Sequence, residues 1–315
     1  MSAKPVVVGV DASSESARAG ALGASLAEAA HTSCHLIHAA TNPWTVLPSA
    51  ADAAEAAEAA KAAERRYAQE RQAIQHALWG HVPARALEHL SIRSGRPAIA
   101  LRQAAAEVDA GLIVVGGKHH TRVGEWMGRS TAMDLLRTTE LPVLVTASAA
   151  LPRRMLVALD VSAATCPTLE AAVQYAELCG AKLKVVSVVE PLPTIGEAPA
   201  LDPEPYYEAS QALIEKDVWP MVDRSIEREV AFGLAADTVV RAARAWSADW
   251  LVVGSHGKGW FERVLVGSVT EQLVHALPAA LLIVPVFSAL VASPGRPQSA
   301  AAWLTHPPEG VCSPL

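Results

Sequence analysis

A group of residues in the last third of the chain has the types and spacing to hold a phosphate. Gly254-Ser255-His256-Gly257 follows the apolar run WLVVG, and nine residues further on the chain reads Gly267-Ser268-Val269-Thr270-Glu271. Glycine has no Cβ, so a backbone N–H there can come close to a polyphosphate. Ser268 and Glu271 form S-x-x-E, which predicts a capping box with Ser268 opening a helix. The first turn of such a helix presents N–H groups without intrahelical partners and a positive dipole end, both of which favour an anion. Capping alone would account for Ser268, but it needs none of the glycines. Gly254, Gly257 and Gly267 together therefore read as a phosphate-binding loop. His256, Lys258 and Arg263 lie inside it, either to touch the phosphates or simply as a solvated loop.

These residues need a scaffold that brings strand ends and helix starts together. A strand followed by Asp and small polar residues occurs twice, as VVVGVDASSES (Val6 to Ser16) and MLVALDVSAAT (Met155 to Thr165). The repeat length is about 149 residues. After each copy the order of elements matches. An alanine-rich helix leads to a second strand, CHLIHAA or KLKVVSVVE, and then to a helical insertion. A third strand ends near Gly95 or Gly233, another helix follows, and then LIVVGG or WLVVGS. A last helix and strand, PVLVT or ALLIVP, close each repeat. This alternation is the mark of βαβ units, and the unbroken apolar strands suit a parallel sheet covered on both faces. The expected fold is α/β, two doubly wound parallel-sheet domains in tandem, over 1–148 and 152–288, with a Pro- and Ser-rich tail at 289–315 expected to be disordered. Ligands of such sheets sit at the carboxyl ends of the strands where strand order reverses, which places Asp11, Asp160, Gly116 and Gly254 at the functional edge.

Composition limits the partners. Net charge is -6 and the sequence pI is about 6.0, which gives no electrostatic reason to expect nucleic acid or an anionic membrane, so any phosphate site must be local. Cys34, Cys166, Cys179 and Cys312 have no C-x-x-C spacing, and His35, His38, His119 and His120 show no convergence into a metal set. No secretion signal or long apolar span is visible, and the expected location is the cytoplasm. Trp246 and Trp250 read as core packing.

The spacing G-x2-G-x9-G-[S/T] is the nucleotide-binding signature of the universal stress protein family, which VVGSHGKGWFERVLVGSVTEQLVHALP closely resembles. The resemblance runs from about Pro5 to Phe287. It implies an adenine-nucleotide alpha-hydrolase-like, Rossmann-like fold and ATP as ligand, with Mg accompanying it. It also implies roles. Asp160 would meet the adenine and ribose side and Val188 would line the adenine pocket, while Gly254, Gly257, Gly267 and Ser268 would serve ribose and phosphates; His256 joins them from its place in the loop. Family members commonly pair through their last strands, so the resemblance implies either a homodimer or an internal pseudo-dimer. The first half departs from the pattern at the glycines. It has His119 where the second should be and Arg129 in place of the third, with Gly128 adjacent, although Asp11 is retained and Thr131 to Asp134 can cap a helix. It reads as degenerate, unless Lys118 and Arg129 bind phosphate by side chain. The expected function is a stress-response regulatory protein that binds ATP in its second half. The alternatives are a slow ATPase, for which no G-x-x-x-x-G-K-[ST] loop is present, and a binder of a lipid or other apolar metabolite with a relic loop.

Overall fold

A computed structural model describes residues 3–40, 53–117, 131–192, 194–195, 198–199, 203–255 and 266–285. The first half runs β1 (Val6–Gly9), α1 (Ser14–Ala29), β2 (Cys34–Ala40), α2 (Ala53–Leu78), α3 (Ala84–Glu88), β3 (Leu90–Ser94), α4 (Pro97–Glu107), β4 (Leu112–Gly116), α5 (Thr131–Leu136) and β5 (Val143–Thr146). The second runs β6 (Arg154–Ala158), α6 (Thr165–Cys179), β7 (Lys182–Val189), the two-residue strands β8 (Thr194–Ile195) and β9 (Ala198–Pro199), α7 (Pro203–Asp217), a 3-10 turn at Trp219–Met221, β10 (Glu227–Phe232), α8 (Ala235–Ala245), β11 (Trp250–Gly254), α9 (Ser268–Ala276) and β12 (Ala280–Val284).

Local chemistry explains these elements. The strands are runs of Val, Ile and Leu buried on both faces; Val6, Val7 and Val8 have no exposed surface. Ser13 caps α1 through its side chain, which accepts from Ser16 N–H. Pro97 occupies the first helical position of α4, where its missing N–H costs nothing. Gly180 ends α6 at φ 65°, and Gly95 and Gly233 follow β3 and β10 at φ 116° and 136°, conformations that a Cβ would strain. The helix expected over Ala50 to Leu78 is α2, and Gly80 follows it at φ 79°.

All but the β8–β9 pair join one ten-stranded sheet, in the order β10-β7-β6-β11-β12-β5-β4-β1-β2-β3. Within each half every pairing in this sheet is parallel, and β12 pairs with β5 antiparallel, Leu282 opposite Leu144; the separate β8–β9 pair is antiparallel. The halves are thus two doubly wound units joined through their last strands into an internal pseudo-dimer. Strand order reverses between β1 and β4 and between β6 and β11. One face of the sheet packs α1, α2, α6 and α7 and the other packs α4, α5, α8 and α9, each around a single cluster that continues across both halves. Trp250 is fully buried in the first cluster against Tyr175, ring centroids 6.0 Å apart, and half-buried Trp246 packs on the second.

Cys34 and Cys179 are free thiols, and burial pushes each up to about 12. They are inert at neutral pH. Among the described residues no helix is long and apolar enough to cross a membrane. The tail expected to be disordered lies outside the described residues.

Candidate functional site

The two points of strand reversal are built alike on the side of the first strand. Asp11 follows β1, and its Oδ1 accepts from the Ser13 N–H at 2.8 Å and the Ser13 hydroxyl at 2.5 Å. Asp160 follows β6, and its Oδ1 accepts from the Ser162 hydroxyl at 2.5 Å. At Asp11 this is an Asx turn, whereas at Asp160 the Ser162 N–H goes to the Asp160 carbonyl at 3.0 Å; in both the hydroxyl two residues on holds the carboxylate before any ligand arrives. Ser16 accepts from the Asp11 N–H at 2.6 Å, and its counterpart Thr165 donates to the Asp160 carbonyl, each from the first turn of the following helix. Asp11 is exposed and Asp160 half-buried.

One strand further out, His38 in β2 and Ser187 in β7 do the same job with different chemistry. His38 Nδ1 lies 2.7 Å from the Val10 carbonyl, which can only accept, so Nδ1 carries the proton. Ser187 donates to the Leu159 carbonyl at 2.7 Å. His38 is thereby a structural residue, as the absence of converging ligands in the sequence indicates. Val188 follows, half-buried on the α8–α9 face, opposite Ala231 of β10. Beyond it the Glu190 carboxylate accepts the Ala235 N–H at 2.9 Å and caps α8, whose N-cap residue Leu234 has no polar side chain.

On the other side of the reversal, three hydrogen bonds close the base of the glycine loop. Ser255 N–H donates to the Val284 carbonyl at 2.8 Å, Gly267 N–H donates to the Ser255 carbonyl at 3.0 Å, and the Thr270 hydroxyl donates to the Gly254 carbonyl at 2.9 Å. Ser255 and Thr270 are buried. The residue entering the loop and the residue leaving it are thus in direct contact, and α9 starts at the carboxyl edge of the sheet. Glu271 N–H reaches the Gly267 carbonyl at 2.9 Å, the first bond of the helix, so the N–H groups of Ser268, Val269 and Thr270 stand outside its ladder.

Two expectations change. Gly267, not Ser268, is the N-cap, and it makes no side-chain cap; Ser268 is the first helical residue and is exposed. The S-x-x-E pattern therefore does not form a capping box here, because a glycine with extended ψ of 142° ends the loop one residue earlier than the pattern suggests. The Ser268 hydroxyl is left facing out of the helix start. Secondly, a glycine at the end of the fourth strand is demanded by packing alone. A Cβ on Gly116 would come within 3.1–3.2 Å of the backbone of Glu15 and Ser16. Gly254 is its counterpart at the end of β11.

The sites named from sequence now have places. Val188 on β7, Asp160 after β6 and Gly254 ending β11 lie on three adjacent strands, so they span about 10 Å of one edge. Gly267 and Ser268 stand over that edge at the start of α9. His256 and Gly257 lie outside the described residues, as do Lys118, His119, Gly128 and Arg129 of the first half. Thr270, Ser162, Ser187 and Glu190 were not singled out. The Asp-x-Ser spacing could have flagged Ser162; the other three depend on which strands are neighbours.

The arrangement offers a fixed carboxylate, an aliphatic wall and a helix start with three available N–H groups and a hydroxyl. That set can accept from hydroxyl groups at the carboxylate and donate to an anion at the helix start. No group of three or more His, Cys, Asp or Glu side chains suited to a metal occurs among the described residues.

The sequence profile of the universal stress protein family matches residues 2–147 and again residues 152–285. The chain belongs to the universal stress protein family. It carries the family's domain twice. A universal stress protein of Mycolicibacterium smegmatis is 26% identical over 293 residues, covering 89% of this chain and 96% of its relative. Among solved structures, a universal stress protein from Archaeoglobus fulgidus aligns with a TM-score of 0.58 at 17% identity, covering 90% of this chain and 99% of that one. One from Pseudomonas aeruginosa, described as a putative universal stress protein, gives 0.54 at 17% identity, covering 90% and 94%. These likenesses establish the same fold at full tandem length.

Proposed function

We propose that this universal stress protein is a stress-response regulatory protein that binds ATP, with Mg, in its second half, while the first half serves as scaffold and docking surface. Asp160 receives the ribose, Val188 lines the adenine, and Gly254, His256, Gly257, Gly267 and Ser268 meet ribose and phosphates. The observation that carries the reading is the closed base of the glycine loop. Ser255 and Gly267 in contact at 3.0 Å hold the start of α9 at the end of β11, the strand next to the one that Asp160 follows, which supports donors for phosphate and an acceptor for sugar at one edge. The function asked of the site is binding, for which no general base is needed.

Calorimetric titration of the nucleotide-free protein with Mg-ATP tests this. One site per chain is expected, abolished by Gly257→Asp, which adds a side chain and a negative charge where phosphate should pass. Two sites per chain would overturn the degenerate first half. No binding would overturn the reading itself.

A further inference from the structure

The Thr270 side chain ties α9 to the end of β11. Its hydroxyl, 4% exposed with the rest of the residue, donates to the Gly254 carbonyl at 2.9 Å across the base of the glycine loop. The peptide between Gly254 and Ser255 is then fixed from both sides, because its N–H is held by the Val284 carbonyl at 2.8 Å. That peptide leads into the loop, and the Ser255 carbonyl receives the Gly267 N–H from the other end. Rotating it would swing the Ser255 carbonyl away from Gly267 and move the start of α9, where three N–H groups await an anion. The first half keeps the N–H bond, from Gly117 to the Thr146 carbonyl at 2.8 Å, but at the position of Thr270 it has Ala132, which is equally buried and has no hydroxyl to give. The halves therefore differ at a buried residue that carries none of the glycine pattern.

We infer that Thr270 is a positioning residue for the phosphate end of the nucleotide site, acting through the Gly254 peptide without touching the ligand. This rests on the nucleotide reading above. A residue acting only on the phosphate side weakens triphosphate binding and spares the nucleoside, since Asp160 and Val188 are fixed by other contacts. Thr270→Ala copies what the first half tolerates at Ala132, so the fold accommodates it, and Thr270→Ser retains a hydroxyl in the same place.

The experiment measures Mg-ATP and adenosine, each competing against a fluorescent adenine nucleotide, on the full chain and both variants, with melting curves alongside. Thr270→Ala is expected to weaken Mg-ATP about tenfold, the scale of one buried hydrogen bond, and adenosine by less than about twofold, with Thr270→Ser restoring most of the loss. Unchanged Mg-ATP affinity overturns the inference. So does an equal loss for both ligands, or a collapse of the melting temperature, either of which would make Thr270 a general support of the fold. A parent protein that binds the fluorescent nucleotide not at all removes the nucleotide reading instead, and the inference falls with it; that outcome is told apart because it appears before any substitution.

Discussion

The carboxylate side of the two crevices is almost a repetition, and the loop side is not. Asp11 and Asp160 each accept the serine hydroxyl two residues on, from Ser13 and Ser162, and His38 and Ser187 brace corresponding carbonyls from the second strand. Across the reversal, Thr270 closes a loop with the glycine spacing, and Ala132 one that has His119 and Arg129 at two of those positions. The turns around Asp11 and Asp160 are also what ends the first strand and starts the next helix, so folding alone can maintain them. The hydroxyl at 270 and the glycines after 254 do nothing for strand pairing. Likeness on one side with difference on the other is what the proposed division into a scaffold half and a binding half requires.

The halves also differ where they meet, and this difference should have the largest effect on stability. Gly117 follows β4, and a Cβ there would stand 2.5 Å from Leu277 Cδ2 of the other half and 2.8 Å from Val145 Cγ1. Its counterpart is Ser255, which is buried with a side chain in place. The position opposite is what changes: Leu277, at φ 35°, closes α9, while the corresponding residue after α5 is Thr139. Gly117→Val is expected to cost about 1–3 kcal/mol through overpacking, read as a lower melting temperature. Adding Leu277→Ala should recover part of it. A melt unchanged by Gly117→Val would break the claim that the halves interlock here.

A second contrast sits at the amino end of the sheet. His35 on β2 stacks near His89 beside β3, ring centroids 5.1 Å apart, and the Ser33 hydroxyl lies 2.9 Å from His35 Nε2. The same cross-strand position in the second half holds Lys184, whose ammonium meets Glu227 at 2.6 Å and Glu229 at 2.8 Å. Burial, and then the neighbouring His89, hold His35 below its ordinary 6.5. The folded state therefore takes up this proton later than the unfolded chain. Its contribution to stability is complete above pH 6.5 and is lost as pH falls below that value toward the folded pKa. Burial pulls Lys184 down, but the hydrogen bonds from Glu227 and Glu229 outweigh it and the net shift is upward, so its contribution is lost only in alkali. Amide exchange should show β3 losing protection between neutral and mildly acidic pH while β10 keeps its own. The double exchange His35→Lys with His89→Glu should abolish the difference. Equal acid sensitivity of the two edge strands would refute the comparison.

Fold and repeat were legible because they depend on strong local signals. Unbroken apolar strands, alternation with helices, and the recurrence of an Asp after the first strand required nothing from neighbours. The start of α9 was read one residue late, because S-x-x-E is a common local pattern while the choice of Gly267 as N-cap is made by its contact with Ser255 on another strand. Gly116 could be placed at the functional edge from sequence, but a missing Cβ does not show that the backbone of α1 already lies against it. Thr270 was invisible for a similar reason. A threonine three residues into a helix has no meaning until the Gly254 carbonyl is known to lie beneath it.

The smallest effect concerns Tyr175 and Trp250. Tyr175 is fully buried on α6, and among the described residues neither its hydroxyl nor the Trp250 indole N–H has a hydrogen-bond partner. The corresponding positions in the first half are Leu26 and Leu112, both fully buried. The architecture thus works without polar atoms at this place, and the aromatic pair contributes through packed area and ring contact. Tyr175→Phe removes an unpartnered hydroxyl and leaves the ring, so it should shift stability by no more than about 1 kcal/mol, in the stabilising direction. A loss beyond about 2 kcal/mol in chemical denaturation would mean that the hydroxyl is satisfied, with a buried water accepting from both groups as the natural bridge. The second half would then owe part of its stability to a polar contact that the first half never had.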